Sequence, residues 1–414
     1  MRVEPFFDLA DPTFDVTSDQ VHRTRDERWW VETSYGIAVL SYAEGAELLK
    51  DRRFQQGNAQ WPAQNGIDSG PFSEWWQETL LSLEGDDHGR IRRLLMPAFR
   101  NKTIAAMRPR FQSLADELID AFADRGECEF IAEFAEPYAA RVLCVLLGLP
   151  EENWPQLAHW ADDLGKSFGI RIAADLPRIE AALAGLYGYV DELVAARSAE
   201  PFETVAARPP QEPPFDDLVS TLIAVSTAED GRLSHDELRS ALVFLAFAGM
   251  ETTRNQLGLA LQTLLAHPDQ WRLLGERPEL GGQAVEEVMR VNPTVTWVTR
   301  EAVDDVDFHG LRVPRGGIVQ VLSHAAGTDP RAMPDPSFDI TALRPPHLGF
   351  GGGVHHCLGH FVARTDMAVA LPLLARRLPD AVPDGPGRWL PVSGNTGALS
   401  FPIRFKRCRG QGRR

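Results

Sequence analysis

Helical spacing dominates the apolar positions of this chain. Segments 88–100, 106–124, 134–147, 153–168, 176–197, 234–266, 268–277, 281–291 and 358–377 carry apolar residues at three- and four-residue intervals, which predicts a helix over each. A further helix begins in the run after Ser41. Period-two alternation is confined to short patches. Trp29–Tyr42 reads as a hairpin turning at Ser34, Tyr35 and Gly36, and the Gly- and Pro-punctuated stretch Val306–Ala325 reads as two or three short strands. The pattern therefore predicts a mainly α chain with a small β region and no internal repeat.

Two segments fall outside the pattern. Residues 199–214 are proline-rich and acidic and read as a long surface loop within one domain; 404–414 form a basic, frayed tail. The most apolar run, Ala241–Met250, is too short to span a membrane and is halted by Glu251.

Composition narrows the function. The 414 residues carry a net charge of −16, which argues against a nucleic-acid binder, since that needs clustered positive charge. Acids and prolines stand where a signal peptide would carry an apolar stretch, and four cysteines are too few for a disulfide scaffold. These features point to a cytoplasmic protein without a membrane anchor.

Three places carry candidate chemistry. In residues 345–365, the glycines Gly351–Gly353 allow a tight turn and close approach to a flat ligand, and Cys357 follows just before a helix. The positive end of a helix favours thiolate, the metal-ligating form, although a buried cysteine in a glycine-rich turn is the plainer alternative. Zinc bound by His355, His356 and Cys357 is a weaker reading, because adjacent residues rarely converge on one ion. In the helix 234–266, Gly249-Met250-Glu251-Thr252-Thr253 interrupts an apolar run. Thr252 can bond back to the carbonyl of Ala248, leaving either a polar notch fit for water and a diatomic ligand or a satisfied polar pair at a bend. Glu287 and Arg290 share a helix face, a pairing of little meaning alone.

Together these stretches resemble a bacterial cytochrome P450, a soluble haem-thiolate monooxygenase. Phe350-Gly351-Gly352-Gly353-Val354-His355-His356-Cys357-Leu358-Gly359 is similar to that family's haem-binding loop at every fixed position. Ala248-Gly249-Met250-Glu251-Thr252 resembles its oxygen-activation motif, and Glu287-Val288-Met289-Arg290 its Glu-x-x-Arg motif. The likeness spans nearly the whole chain. One departure is Ala325-Ala326-Gly327-Thr328-Asp329-Pro330, where the family commonly has Ala-Asn-Arg-Asp-Pro.

The resemblance implies a P450 fold and haem b as cofactor, with Cys357 as axial ligand and Phe350 beside the sulfur. His88, Arg92, Arg300 and His355 would hold the propionates. Glu251 and Thr252 would deliver protons to dioxygen, while Glu287 and Arg290 would be structural. Substrate contacts would come from Leu245, Ala248, Val295 and Thr296, and from the aromatic stretch 60–85 with Trp61, Phe72, Trp75 and Trp76. Hydroxylation of a hydrophobic small molecule is the leading expectation. Oxidative coupling, desaturation and epoxidation are variants, and a non-turnover haem sensor is an alternative that the Glu251–Thr252 pair disfavours.

Electrons would come from NAD(P)H through a ferredoxin or flavodoxin and its reductase, for which the chain leaves no room. Between His88 and Ala115 stand seven basic residues and no acidic one: Arg90, Arg92, Arg93, Arg100, Lys102, Arg108 and Arg110. That cluster would steer an acidic partner.

Overall fold

The computed structural model describes residues 5–169, 171–199, 218–227 and 232–407. Helices account for most of it, and each expected helix except 234–266 is present as one helix with ends shifted by a few residues, as in Asn101–Phe122, Ile172–Ala199 and Gly281–Val291. The proline-rich stretch 199–214 lies outside the described residues except for Ala199, which ends a helix. The basic tail starts later than expected. Arg404 closes the strand Pro402–Arg404, Phe405 is buried in the main core, and 408–414 lie outside the described residues.

The principal sheet has six strands in the order Phe6–Phe7, Trp30–Thr33, Gly36–Val39, Ile318–Leu322, Trp297–Ala302, Phe54–Gln56. The expected hairpin is its second and third strands, paired antiparallel from Trp30↔Val39 to Thr33↔Gly36. Ile318–Leu322 is buried at all five positions and runs parallel to Gly36–Val39. The strand Trp297–Ala302 escaped the alternation test because Arg300 and Glu301 are both buried in it. Its register places Arg300 opposite Gln56.

The long apolar helix is two helices. His235–Ala248 begins at a capping box, in which Ser234 and Glu237 each bond the other's backbone N–H, and Glu251–Leu265 follows after Gly249 and Met250. The break has the expected cause: the Thr252 hydroxyl donates to the Ala248 carbonyl at 2.9 Å, occupying an acceptor of the helical ladder. Gly249 also allows a close crossing, since a Cβ there would stand 2.7 Å from Leu143 Cδ1.

Glu287 and Arg290 are a fully buried pair, bonded at 2.6 and 2.7 Å. Arg290 also donates to the carbonyls of Gly327, Pro336 and Ser337, and Glu287 accepts the Asp339 N–H at 3.0 Å. The pair thereby ties the helix Gly281–Val291 to the chain that leads into the Cys357 loop. Beneath that loop, His360–Arg377 packs against Asn101–Phe122 through one continuous core. No described helix is long and apolar enough to cross a membrane.

Candidate active site

A cavity of about 330 Å³ lies between the broken helix and the Cys357 loop. Its wall holds Leu245, Ala248, Glu251, Thr252, Val295, Arg92, Arg300, Phe350, His355 and Cys357, so folding brings together residues from across the sequence. Four expected residues are not on it: Thr296, His88, Phe72 and Trp75. Thr296 is buried with its hydroxyl donating to the Ser393 carbonyl, which turns it away from the cavity. His88 stands behind the wall, its ring tilted against that of His355 with centroids 4.1 Å apart. The aromatic stretch divides too: Trp61 and Trp76 line the cavity, whereas Phe72 and Trp75 are core. It is also partly helical, at Trp61–Gln64 and Pro71–Glu78, rather than a loop throughout.

Leu143, Leu146, Phe168, Phe244, Phe247 and Trp297 complete an apolar wall that sequence reasoning missed. They sit at ordinary helix- and strand-core positions, where pattern cannot separate cavity from core. Gln256 was missed as well. Its amide accepts the Thr294 N–H at 2.8 Å and donates to the Asn292 carbonyl at 3.0 Å, joining the helix Glu251–Leu265 to the segment that carries Val295.

The glycines of the loop act differently from expectation. Gly351 has φ +67° and lines the cavity. Gly352 and Gly353 instead press against the chain at Leu49, where a Cβ on Gly353 would come 2.5 Å from the Leu49 carbonyl oxygen. Cys357 N–H donates to the Phe350 carbonyl at 2.9 Å, closing the turn. The next helix starts at His360 rather than Leu358, and the N–H of its N-cap residue Gly359 bonds the sulfur. Burial pushes the Cys357 pKa up, against the Gly359 N–H and the charges of Arg92 and Arg364. Phe350 is covered by the Arg364 guanidinium, 4.4 Å from its centroid, and Glu286 and His360 hold that guanidinium.

On the opposite side, the Glu251 carboxyl is buried and points at Gly165, the last residue of the helix Trp154–Gly165. A Cβ on Gly165 would lie 2.1 Å from Oε2, an oxygen with no hydrogen-bond partner. Burial raises the Glu251 pKa to about 7, partly offset by Arg254. Arg254 bonds Asp162 at 2.9 Å, and Lys166 bonds Asp162 at 2.8 Å, so a charged chain leads from the carboxyl to half-exposed groups. Sequence reasoning found Glu251 but not Gly165 or this chain, which come from separate elements.

The cationic end of the cavity is under-neutralised. Arg92 and Arg300 form no ion pair with a carboxylate among the described residues; their bonds go to the carbonyls of His356, Thr299 and Gly352 and to Gln56. Burial lowers the Arg300 pKa to about 10. Burial and the neighbouring His355 and Arg92 lower that of His88 to about 4, and His88 Nε2 has no partner. The buried Arg300 and half-buried Arg92 guanidinium groups and an orphaned imidazole nitrogen fit the two propionates of a haem. A cavity-lining sulfur held by a backbone N–H fits an axial ligand to its iron. The zinc alternative fails, since among the described residues no three His, Cys, Asp or Glu side chains gather as a metal site.

This geometry has relatives. The chain is 35% identical to luteothin monooxygenase of Streptomyces thioluteus over 407 residues, 97% of this chain and 96% of that one. The chain belongs to the cytochrome P450 family. That family's sequence profile, described as Cytochrome P450, matches residues 279–385, which hold both the Glu-x-x-Arg pair and the cysteine loop. This P450 is also 31% identical to 6-deoxyerythronolide B hydroxylase of Saccharopolyspora erythraea over 356 residues, 84% of this chain and 83% of the relative. Among solved structures, CalO2 superposes with a TM-score of 0.83 at 31% identity, covering 95% of this chain and 99% of that one. P450BioI, crystallised with a fatty-acyl-ligated acyl carrier protein, gives 0.81 at 29% identity over 96% and 99%. The fold is thus the mainly α P450 fold, the chain is a P450 monooxygenase, and haem is its cofactor.

Proposed function

We propose that this monooxygenase oxidises an apolar secondary metabolite lodged against the aromatic and aliphatic wall, with haem held at Cys357. Bound haem supplies an iron that activates dioxygen. Arg92, Arg300 and His88 anchor its carboxylates, and the Cys357 sulfur, backed by the Gly359 N–H and the Arg364–Phe350 stack, serves as its ligand. Putting one oxygen atom into the substrate and releasing the other as water consumes two electrons and two protons. Glu251, with a pKa raised to about 7, is suited to hold and pass such a proton, and Thr252 places a hydroxyl on the cavity wall beside it. The apolar wall excludes water elsewhere. The relatives' names, luteothin and 6-deoxyerythronolide B among them, support a natural-product substrate.

The observation that carries this reading is one cavity shared by Cys357, Thr252 and a predominantly apolar wall. Its test is the carbon-monoxide difference spectrum of the dithionite-reduced protein, for wild type and Cys357→Ser. A strongly red-shifted Soret band that disappears in the variant supports it. A histidine-type band in wild type, or absence of haem, overturns it.

Electrons pass, in this reading, from NAD(P)H through a ferredoxin or flavodoxin. Arg90 is occupied by Glu237 and Asp87, Arg110 by Glu151, and Arg92 points inward. Arg93, Arg100, Lys102 and Arg108 are exposed and form no ion pair among the described residues, so they are the part of the basic cluster free to meet an acidic partner. Charge reversal of Arg93 or Arg100 to Glu should weaken ferredoxin-supported turnover and leave the carbon-monoxide spectrum intact.

A further inference from the structure

The carboxylate of Glu84 sits where neither the sequence motifs nor the proton path needs one. Glu84 is the N-cap residue of the helix Gly85–Leu95, yet its side chain caps nothing. It turns inward, accepting the backbone N–H of Gln56 and bonding His355 Nε2 at 2.9 Å. The same Gln56 takes a hydrogen bond from Arg300, and the His355 ring lies against that of His88. Among the described residues, Glu84 is the carboxylate that bonds a member of the set Arg92, Arg300, His88 and His355. Glu84 thus occupies the Nε2 edge of the His355 ring. A haem propionate seeking His355 therefore meets a carboxylate already there.

We propose that Glu84 is a built-in placeholder, holding His355 in the haem-free chain and giving it up when a haem propionate arrives. Haem capture then exchanges one carboxylate for another at His355, while Arg92, Arg300 and the His88 nitrogen receive the propionates without competition. The placeholder keeps a cluster of buried donors partly satisfied before the cofactor is present, at the cost of like charge beside the incoming propionate. This inference rests on the haem assignment above.

The test compares wild type with Glu84→Gln and Glu84→Asp. Haem loss from each ferric holoprotein to excess apomyoglobin is followed at the Soret band, and thermal unfolding is followed for haem-free and haem-loaded chains. Replacing the carboxylate by an amide removes one charge-assisted competitor, so Glu84→Gln is expected to lose haem on the order of tenfold more slowly, with Glu84→Asp in between. The same variant should melt lower than wild type when haem-free and no lower when loaded, a split that a merely structural residue does not give. Faster or unchanged haem loss in Glu84→Gln, or a parallel drop in both melting temperatures, overturns the placeholder. A wild-type protein that binds no haem overturns the cofactor assignment itself, and this inference with it.

Discussion

Gly165→Ala is the sharpest probe of the proton path, because it touches neither the sulfur nor the substrate wall. An added Cβ would stand 2.1 Å from Glu251 Oε2, 2.2 Å from Cδ and 2.6 Å from Oε1. Ordinary contact needs roughly 3.5 Å, so the carboxyl must retreat by more than about 1 Å. It leaves the reach of Asn255 Nδ2, now 3.3 Å from Oε1, and of Arg254, 3.9 Å away. Stability should change little: overpacking costs about 1–3 kcal/mol, while alanine in place of glycine in a helix returns about 1 kcal/mol. Catalysis should change more, since a misplacement of about 1 Å in an acting group costs on the order of 100-fold. The assay is product formed per electron pair delivered, with kcat and its solvent isotope effect. The expected variant keeps its carbon-monoxide spectrum, loses between 10- and 100-fold in kcat on this order-of-magnitude argument, and shows a larger isotope effect. The decisive control is the same substitution in a Glu251→Ala background, where it should cost almost nothing further. A full penalty there would show that Gly165 matters for packing rather than for the carboxyl, refuting the reasoning.

Other expectations follow from single contacts. With a pKa near 7, Glu251 is a proton donor below that pH, so turnover should fall as pH rises through about 7; Glu251→Gln should lower the rate and flatten that limb. Glu287→Gln should cost about 3–5 kcal/mol in denaturant unfolding, because it strands a fully buried Arg290, and unfolding midpoints unchanged from wild type would contradict that account. His22 and His324 meet at 3.1 Å through their Nε2 atoms, and burial pushes the His324 pKa down to about 4. The unfolded chain binds that proton more readily, so the stability this pair contributes is complete above about 6.5 and is lost as pH falls from there towards 4. Thermal unfolding across that range should show the slope in wild type and a shallower one in His324→Gln.

The sequence was most informative where chemistry is encoded in contiguous residues. The cysteine loop, the Glu251–Thr252 step and the Glu287–Arg290 pair are local, and Thr252 bonds the carbonyl that spacing alone had indicated. Features assembled from distant segments stayed hidden. Gly165 reveals its purpose only when its helix is laid against Glu251, and Glu84 only when helix, strand and loop converge on His355. Thr296 was expected on the cavity beside Val295, but its hydroxyl is taken by the Ser393 carbonyl, a partner 97 residues away. The thiol's environment was read only in part: a helix expected from Leu358 suggested stabilised thiolate, whereas the helix starts at His360 and burial pushes the thiol pKa up against the Gly359 N–H and the charges of Arg92 and Arg364.

The Gln256 amide has a consequence for how such an enzyme changes over generations. Because one side chain fixes both the helix bearing Glu251 and the Asn292–Thr294 backbone leading to Val295, the proposed substrate wall and the proposed proton donor are mechanically linked. A mutation that reshapes residues 293–296 to admit a new molecule would also tug on the helix that carries Glu251. New substrates would then be acquired with wasted reductant at first, and compensating changes would be selected around Gln256 rather than at the pocket. Laboratory evolution of this scaffold would do best to vary Gln256 together with Val295, treating the two as one heritable unit.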